Sequence, residues 1–117
     1  MNFYHKELAA GRWYELPFIE QMANIGSEVI RALSWRNKSD SEHSLKAAER
    51  ALELLYLTIE DGKNKPRIRE LARLREFLID YFYFDNIYKS SDEFWRKYFN
   101  PFTYAAALKR RRDMPSL

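Results

Sequence analysis

The stretch SLKAAERALELLYLTIE, residues 44–60, decides the fold class of this chain. Its apolar side chains recur at three- and four-residue steps, the spacing that places them on one side of an α-helix. The residues on this broad face are Leu45, Ala47, Ala48, Ala51, Leu52, Leu54, Leu55, Leu57 and Ile59. An apolar face this wide predicts a central helix that packs against neighbours on two sides.

Similar patterns extend on both sides of this helix. Pro17 is a favourable first residue for a helix that runs to about Arg36, and Pro66 restarts a helix that ends near Phe84. The pattern Ser-x-x-Glu from Ser90 begins a last helix, which Pro101 is expected to break because proline lacks the backbone N–H. A further short helix is predicted over residues 2–10.

These patterns predict an all-α protein: an up-and-down bundle of about four main helices, with a short N-terminal helix and a Pro-broken last helix. Only three Gly and four Pro are present, whereas β-rich domains need many turn residues. The length fits a single domain over residues 1–117. Gly26 lies inside a predicted helix, where it indicates a close approach of another helix.

Composition excludes several classes of protein. There is no cysteine, which excludes disulfides and thiolate metal sites and fits a reducing cytoplasm. No apolar run approaches the ~18 residues of a membrane-spanning helix, and no signal peptide is recognisable. A glycine-rich phosphate loop and a Glu-x-x-His pair are also missing from the sequence. We therefore expect no metal, no cofactor and no enzymatic activity.

Arg36, Asn37 and His43 follow the pattern Arg-Asn-x5-His. It resembles the Arg-x(4–6)-His motif of the HEPN family, small helical bundles that include toxin ribonucleases and partners of minimal nucleotidyltransferases. The resemblance implies that Arg36 stabilises phosphate charge, Asn37 orients it and His43 is the acid or base. Arginine binds phosphate bidentately and histidine titrates near neutral pH, which suits these roles. Helix capping in this polar loop is the alternative explanation.

A polar stripe is the second candidate site. Gln21, Asn24, Glu28 and Arg31 follow a helical spacing that places them on one face. Together with Arg12 and Trp13 they are expected to form a polar binding groove. The alternative is an ordinary solvated helix face, which most amphipathic helices carry.

A longer resemblance covers most of the chain. It rests on the strings GRW at residues 11–13, EQMANIGSEVIRA at 20–32 and ALELLYLT at 51–58. These strings look like those of a family of small uncharacterised prokaryotic proteins that form helical bundles. The resemblance implies a helical fold without a defined activity, and it marks residues 24–28 as the segment of interest.

Two further features concern partners. The formal net charge of +3 derives mostly from the run Lys109, Arg110, Arg111 and Arg112, which could contact nucleic acid or stabilise the helix macrodipole.

Aromatic residues make up 16% of the chain, and those at positions 81–99 are too many to face a single core. Because exposed tyrosine and tryptophan favour interfaces, we expect a non-enzymatic interaction protein that forms a homodimer or binds another protein. A HEPN-like RNA-binding or RNA-cleaving protein is the alternative.

Overall fold

The computed structural model describes residues 11–114 of the chain. This part contains no β-strand and four α-helices: α1 (Phe18–Asn37), α2 (Ser41–Glu60), α3 (Ile68–Tyr83) and α4 (Asp92–Asp113). Two short 3-10 helices, Arg12–Glu15 and Gly62–Arg67, precede α1 and α3. The predicted all-α helical bundle is confirmed. The helix predicted over residues 2–10 lies outside the described residues.

Helix α1 packs against both α2 and α4, and α2 packs against both α1 and α3. The central position predicted for the residue 44–60 helix is therefore confirmed. One core cluster joins all four helices and the first 3-10 helix, with the buried residues Trp13, Met22, Ile25, Val29, Leu33, Ala51, Leu54, Leu55, Leu57, Leu71, Leu74, Leu78, Trp95 and Phe99. Leu45 was also predicted on the apolar face of this helix, but it lies near the start of α2 and is 37% exposed.

Gly26 is a point of close approach between α1 and α4. A Cβ atom placed on Gly26 would lie 2.8 Å from the Cβ and 2.9 Å from the ring of Phe99. Only a residue without a side chain leaves room for Phe99 at this distance, so the close helix approach predicted at Gly26 is confirmed. The contact accounts for a glycine in a helix interior, where it costs about 1 kcal/mol relative to alanine.

The break predicted at Pro101 is wrong, because α4 runs through Pro101 to Asp113. Pro101 lies on the exposed side of the helix. Water can therefore satisfy the carbonyl of Lys97, which would otherwise accept from the missing N–H. On the opposite side, Phe99 and Ala106 are buried and keep both halves of α4 on the bundle. Packing thus outweighs a proline penalty of about 3 kcal/mol.

Two helix starts also differ from the prediction. Helix α4 is capped by Ser91, whose Oγ accepts from the N–H of Phe94 at 3.0 Å, rather than by Ser90. Pro66 lies within the second 3-10 helix, and α3 begins only at Ile68. The cap of α2 is as predicted, because Asp40 accepts from the N–H of His43 at 3.0 Å.

Candidate functional site

The loop between α3 and α4 presents the largest exposed apolar side chains outside the helices. Phe84 is 72% exposed, Ile87 is 71% exposed and Tyr88 is 45% exposed, and the three line one recess. Tyr83, the last residue of α3, is 38% exposed, and its hydroxyl donates to the carbonyl of Leu45 at 3.4 Å. These four residues are hereafter the loop surface. A contiguous group of exposed apolar residues on a folded protein marks an interaction site more often than a scattered one does.

Asp80 holds the loop in one conformation. Its side chain is buried, at 6% exposure, although it lies in the last turn of α3. Its Oδ1 accepts from the N–H of Ile87 at 3.0 Å and its Oδ2 from the N–H of Tyr88 at 3.1 Å. A carboxylate in the last turn of a helix is unfavourable beside the negative end of the macrodipole. The two charge-assisted hydrogen bonds compensate for this position.

The loop also contains two residues in the left-handed region, Asn86 and Lys89, each with φ of 54°. Asparagine tolerates this region, whereas lysine there costs about 1–2 kcal/mol. The Asn86 side chain bridges the turn: its Nδ2 donates to the carbonyl of Ser90 and its Oδ1 accepts from the N–H of Ser90, both at 2.9 Å. The structure therefore stabilises a costly loop conformation that keeps apolar side chains in water.

A shallow recess of about 500 Å³ adjoins the loop surface. Its apolar lining consists of Ile79, Phe84, Ile87 and Tyr88. The charged residues in the lining are one cation, Arg75, and three acidic residues, Glu76, Asp80 and Asp85. The recess therefore carries groups of both signs, with an excess of negative charge.

We expect Asp80→Ala to loosen the loop without unfolding the bundle. The N–H groups of Ile87 and Tyr88 lose a charged acceptor, and hydrogen bonds to charged groups contribute about 1.5–3 kcal/mol. Amide hydrogen exchange should therefore accelerate at Ile87 and Tyr88 at least tenfold. Core amides such as those of Leu55 and Leu71 exchange through global unfolding, so their rates should change only as far as the free energy of unfolding changes. Unchanged exchange at the two loop amides would show that Asp80 does not order the loop.

Trp13 and Gln21 of the predicted polar groove are buried, at 1% and 0% exposure. Trp13 Nε1 donates to Thr58 Oγ1 at 2.9 Å. Gln21 Nε2 donates to the carbonyl of Trp13 at 3.1 Å and to Asp61 Oδ2 at 2.9 Å, and Gln21 Oε1 accepts from Asn64 Nδ2 at 2.9 Å. The prediction that these two residues line a surface groove is wrong. They join the first 3-10 helix, α1 and the end of α2.

Asp61 is the charged member of this buried network. Burial alone would raise the pKa of Asp61, but hydrogen bonds from Lys63 and Gln21 outweigh it and hold that pKa below its ordinary value of 3.8. Lys63 Nζ also donates to the carbonyl of Tyr14 at 3.0 Å. The network therefore holds an ionised, paired carboxylate whose partners are all provided by the chain itself.

Of the other residues of the predicted groove, Asn24, Glu28 and Arg31 form bonds with neighbouring residues of the chain. Asn24 Nδ2 donates to the carbonyl of Glu20 at 2.8 Å. Glu28 forms ion pairs with Arg31 at 2.8 Å and with Arg50 of α2 at 3.1 Å. Arg12 is exposed on the first 3-10 helix. A binding role for these residues stays a prediction.

The residues of the HEPN-like pattern lie at the junction of α1 and α2 and are exposed. The Arg36 guanidinium lies 4.9 Å from the ring centroid of Tyr81, and its Nη1 donates to the carbonyl of Tyr81 at 3.3 Å. His43 stacks on Trp35 with centroids 4.6 Å apart, and its Nδ1 lies 2.7 Å from Asp40 Oδ2. Arg36 thus contacts α3, whereas His43 contacts α1 and its own helix cap. Catalysis by Arg36, Asn37 and His43 stays a prediction.

Aromatic rings fill the space between α3 and α4. Trp95 is fully buried, and the rings of Tyr81, Phe94, Tyr98 and Phe99 have centroids 4.9–6.3 Å from it. A cavity of about 130 Å³ remains beside these rings. Tyr98 donates to Glu70 Oε1 at 3.1 Å, and burial together with this carboxylate raises the pKa of Tyr98 far above its usual range. Many of the predicted excess aromatics therefore pack against one another inside the bundle.

Tyr81 connects this aromatic cluster to the start of α4. Its hydroxyl donates a short hydrogen bond to Asp92 Oδ1. Burial, this hydrogen bond and the nearby carboxylate charge raise the pKa of Tyr81 to about 12, so the phenol stays protonated near neutral pH. Tyr81 therefore acts as a hydrogen-bond donor that connects α3 to the start of α4.

Within residues 11–114, no three His, Asp or Glu side chains are grouped so that they could hold a metal ion. No helix in the same range is both long enough and apolar enough to cross a membrane.

Comparison with protein-family models, with curated proteins and with solved structures finds no match to this chain. The resemblances to the helical prokaryotic family and to the HEPN family stay predictions. The candidate site is therefore argued from the structure of the chain alone. It is the loop surface, because packing within the described residues leaves its apolar side chains exposed.

Proposed function

We propose that this protein is a non-enzymatic helical interaction module that associates with itself through the loop surface. The observation that supports the proposal is the combination of exposure and order in one loop. Phe84 and Ile87 are each more than 70% exposed, yet the backbone that carries them is fixed by Asp80 and by Asn86. These hydrogen bonds hold the loop in one conformation although its apolar side chains are exposed to water.

Physical chemistry favours such a surface as an interface. Burying a large apolar side chain releases about 1.5–3 kcal/mol, so covering Phe84 and Ile87 is favourable. Because the loop is already ordered, binding does not incur the additional entropy cost of fixing it. Central, well-packed apolar anchors of this kind dominate the free energy of many interfaces.

The partner that suits this surface is a second copy of the chain. A two-fold symmetric contact places the same patch on both sides, so the patch must complement itself. The loop surface meets this condition, because projecting apolar side chains lie beside a recess that is lined by Arg75 as well as by acidic residues. In a two-fold contact the Arg75 of each copy can face the carboxylates of the other.

Sedimentation equilibrium over a wide range of protein concentration tests the proposal. We expect the wild type to form a dimer and Phe84→Ser/Ile87→Ser to weaken the dimer about a thousandfold, since two interface anchors worth about 2 kcal/mol each add up to about 4 kcal/mol. The matched control is Ile19→Ser/Ile68→Ser, which removes two apolar side chains that are 43% and 45% exposed elsewhere. This control should dimerise as the wild type does.

Two results would contradict self-association through the loop surface. The first is a wild type that stays monomeric at every concentration. The second is a control variant that weakens the dimer as much as the loop variant, because the contact would then depend on general surface hydrophobicity. Circular dichroism of each variant verifies that the helical bundle is retained.

A further inference from the structure

Helix α4 carries the entire net charge of the protein. It contains six of the twenty basic residues and three of the seventeen acidic ones, which leaves fourteen of each in the rest of the chain. The acidic residues lie at its two ends, Asp92 and Glu93 at the start and Asp113 at the last position. The cations of α4 form two groups, Arg96 and Lys97 near its start and residues 109–112 near its end, on a molecule whose other charges balance.

Most of these cations have no acidic partner in the part of the chain that the structure describes. Lys97 pairs with Glu93 at 2.9 Å and Lys109 with Glu20 at 3.6 Å. Arg96, Arg110, Arg111 and Arg112 are exposed and form no ion pair with another described residue. Arg110, Arg111 and Arg112 lie in the last turn, where the helix macrodipole favours cations, whereas Arg96 lies near the start of α4 and has no such role.

The cations border a groove between α1 and α4. Two adjoining recesses, of about 370 Å³ and 100 Å³, share Thr103. The first recess has Arg96 in its wall and the second has Arg110. The small side chains of Ala23, Ser27 and Ala106 form part of the groove. Arg96 and Arg110 are fourteen residues apart, so the groove extends over about 21 Å of helix.

An exposed aromatic residue lies between the two groups of cations. Tyr104 is 66% exposed, eight residues after Arg96 and seven residues before Arg111. Proteins that bind single strands combine such exposed aromatic side chains, on which bases stack, with cations that neutralise the phosphates. Arginine also suits phosphate better than lysine does, because its planar guanidinium binds two oxygens at once.

We propose that the outer surface of α4 binds single-stranded nucleic acid, with Arg96, Arg110, Arg111 and Arg112 contacting phosphates and Tyr104 stacking on a base. An anionic membrane is the less suitable partner. A helix that lies in a membrane surface inserts its apolar side, but Trp95, Phe99 and Ala106 on the apolar side of α4 are buried in the bundle. This proposal is independent of self-association through the loop surface.

Fluorescence anisotropy of a fluorescein-labelled oligouridylate of twelve nucleotides tests the proposal. We expect the wild type to bind with an affinity that falls steeply between about 50 and about 200 mM salt. Arg110→Gln/Arg111→Gln/Arg112→Gln should weaken binding at least tenfold and reduce the magnitude of the salt slope by about 2, since each single-strand phosphate contact contributes about 0.7. Tyr104→Ala should weaken binding about tenfold and leave the salt slope unchanged.

A charge-matched control distinguishes a site from general electrostatic attraction. Lys65→Gln/Arg69→Gln/Arg73→Gln removes three exposed cations at and near the start of α3 and so gives the same net charge. We expect this variant to bind within about twofold of the wild type, because these cations lie on another helix. All four proteins are compared by thermal unfolding, so that a loss of binding is not confused with a loss of folding.

Three results would overturn the proposal. One is no binding by the wild type at about 100 μM protein and the lowest salt, which is weaker than ordinary non-specific association. Another is an equal loss of affinity in the control variant. The third is binding to phosphatidylserine vesicles that is tighter than binding to the oligonucleotide and independent of Tyr104, which would assign the surface to a membrane.

Discussion

Gly26→Val is expected to lower the free energy of unfolding by about 3 kcal/mol, the upper end of the usual cost of overpacking. The reason is the contact with Phe99: even the Cβ of the new side chain would lie 2.8 Å from the Phe99 Cβ. A Cβ atom cannot move away without its backbone, so α1 and α4 must separate. Valine adds two further methyl groups at the same point, and this outweighs the higher helix propensity of valine relative to glycine.

Urea unfolding followed by circular dichroism measures this effect, and Gly62→Val provides the matched control. No atom lies within 4 Å of the position that a Cβ would occupy at Gly62, and its backbone requires no left-handed conformation. The control should therefore change stability by less than about 1 kcal/mol. A Gly26→Val variant as stable as Gly62→Val would show that α1 and α4 do not meet at this distance.

Gln21→Ala is expected to cost about 3–4 kcal/mol, because its side chain connects two other side chains and one backbone carbonyl in the buried network. Its removal leaves the Trp13 carbonyl without the Gln21 donor and takes one donor from Asp61 and one acceptor from Asn64. Asp61 then keeps only Lys63 as its neutralising partner. A partly paired buried carboxylate is costly, and the substitution also leaves a cavity beside Met22 and Trp13.

Asn24→Ala is the control for this second prediction. Asn24 lies one turn later on the same helix, but it is exposed and its side chain bonds only to the carbonyl of Glu20. We expect its substitution to change stability by less than about 0.5 kcal/mol. If Gln21→Ala and Asn24→Ala had similar effects in urea unfolding, the stripe would be the solvated face that the sequence allowed as an alternative.

Helical periodicity was sufficient to predict the four helices, because each has one apolar side that must be buried. The same reasoning located Gly26 as a helix contact, since a glycine in such a pattern requires a packing reason. It failed at Pro101, where local propensity predicted a break. Burial of Phe99 and Ala106 on the side opposite Pro101 holds the helix together, and such tertiary contacts are not visible in a local pattern.

The candidate sites were less predictable than the fold. Asp80 follows the spacing of Arg69, Arg73 and Glu76, which would place it on the charged side of α3, yet the structure buries it under the loop. The available signal was its position, because a carboxylate near a helix C-terminus needs compensating donors. A glutamine side chain is usually found at the surface, so the sequence predicted an exposed Gln21. Its burial is explained by hydrogen bonds with Asp61 and Asn64, which belong to a segment distant in sequence.

We propose that two copies of this chain meet at the loop surface. The most direct measurement is a dilution series of amide chemical shifts by nuclear magnetic resonance on the full chain. We predict concentration-dependent shifts confined to residues 79–91, with the amides of Phe84 and Ile87 among the largest. Shifts that are independent of concentration, or that map to the outer sides of α1 and α2 instead, would contradict the account.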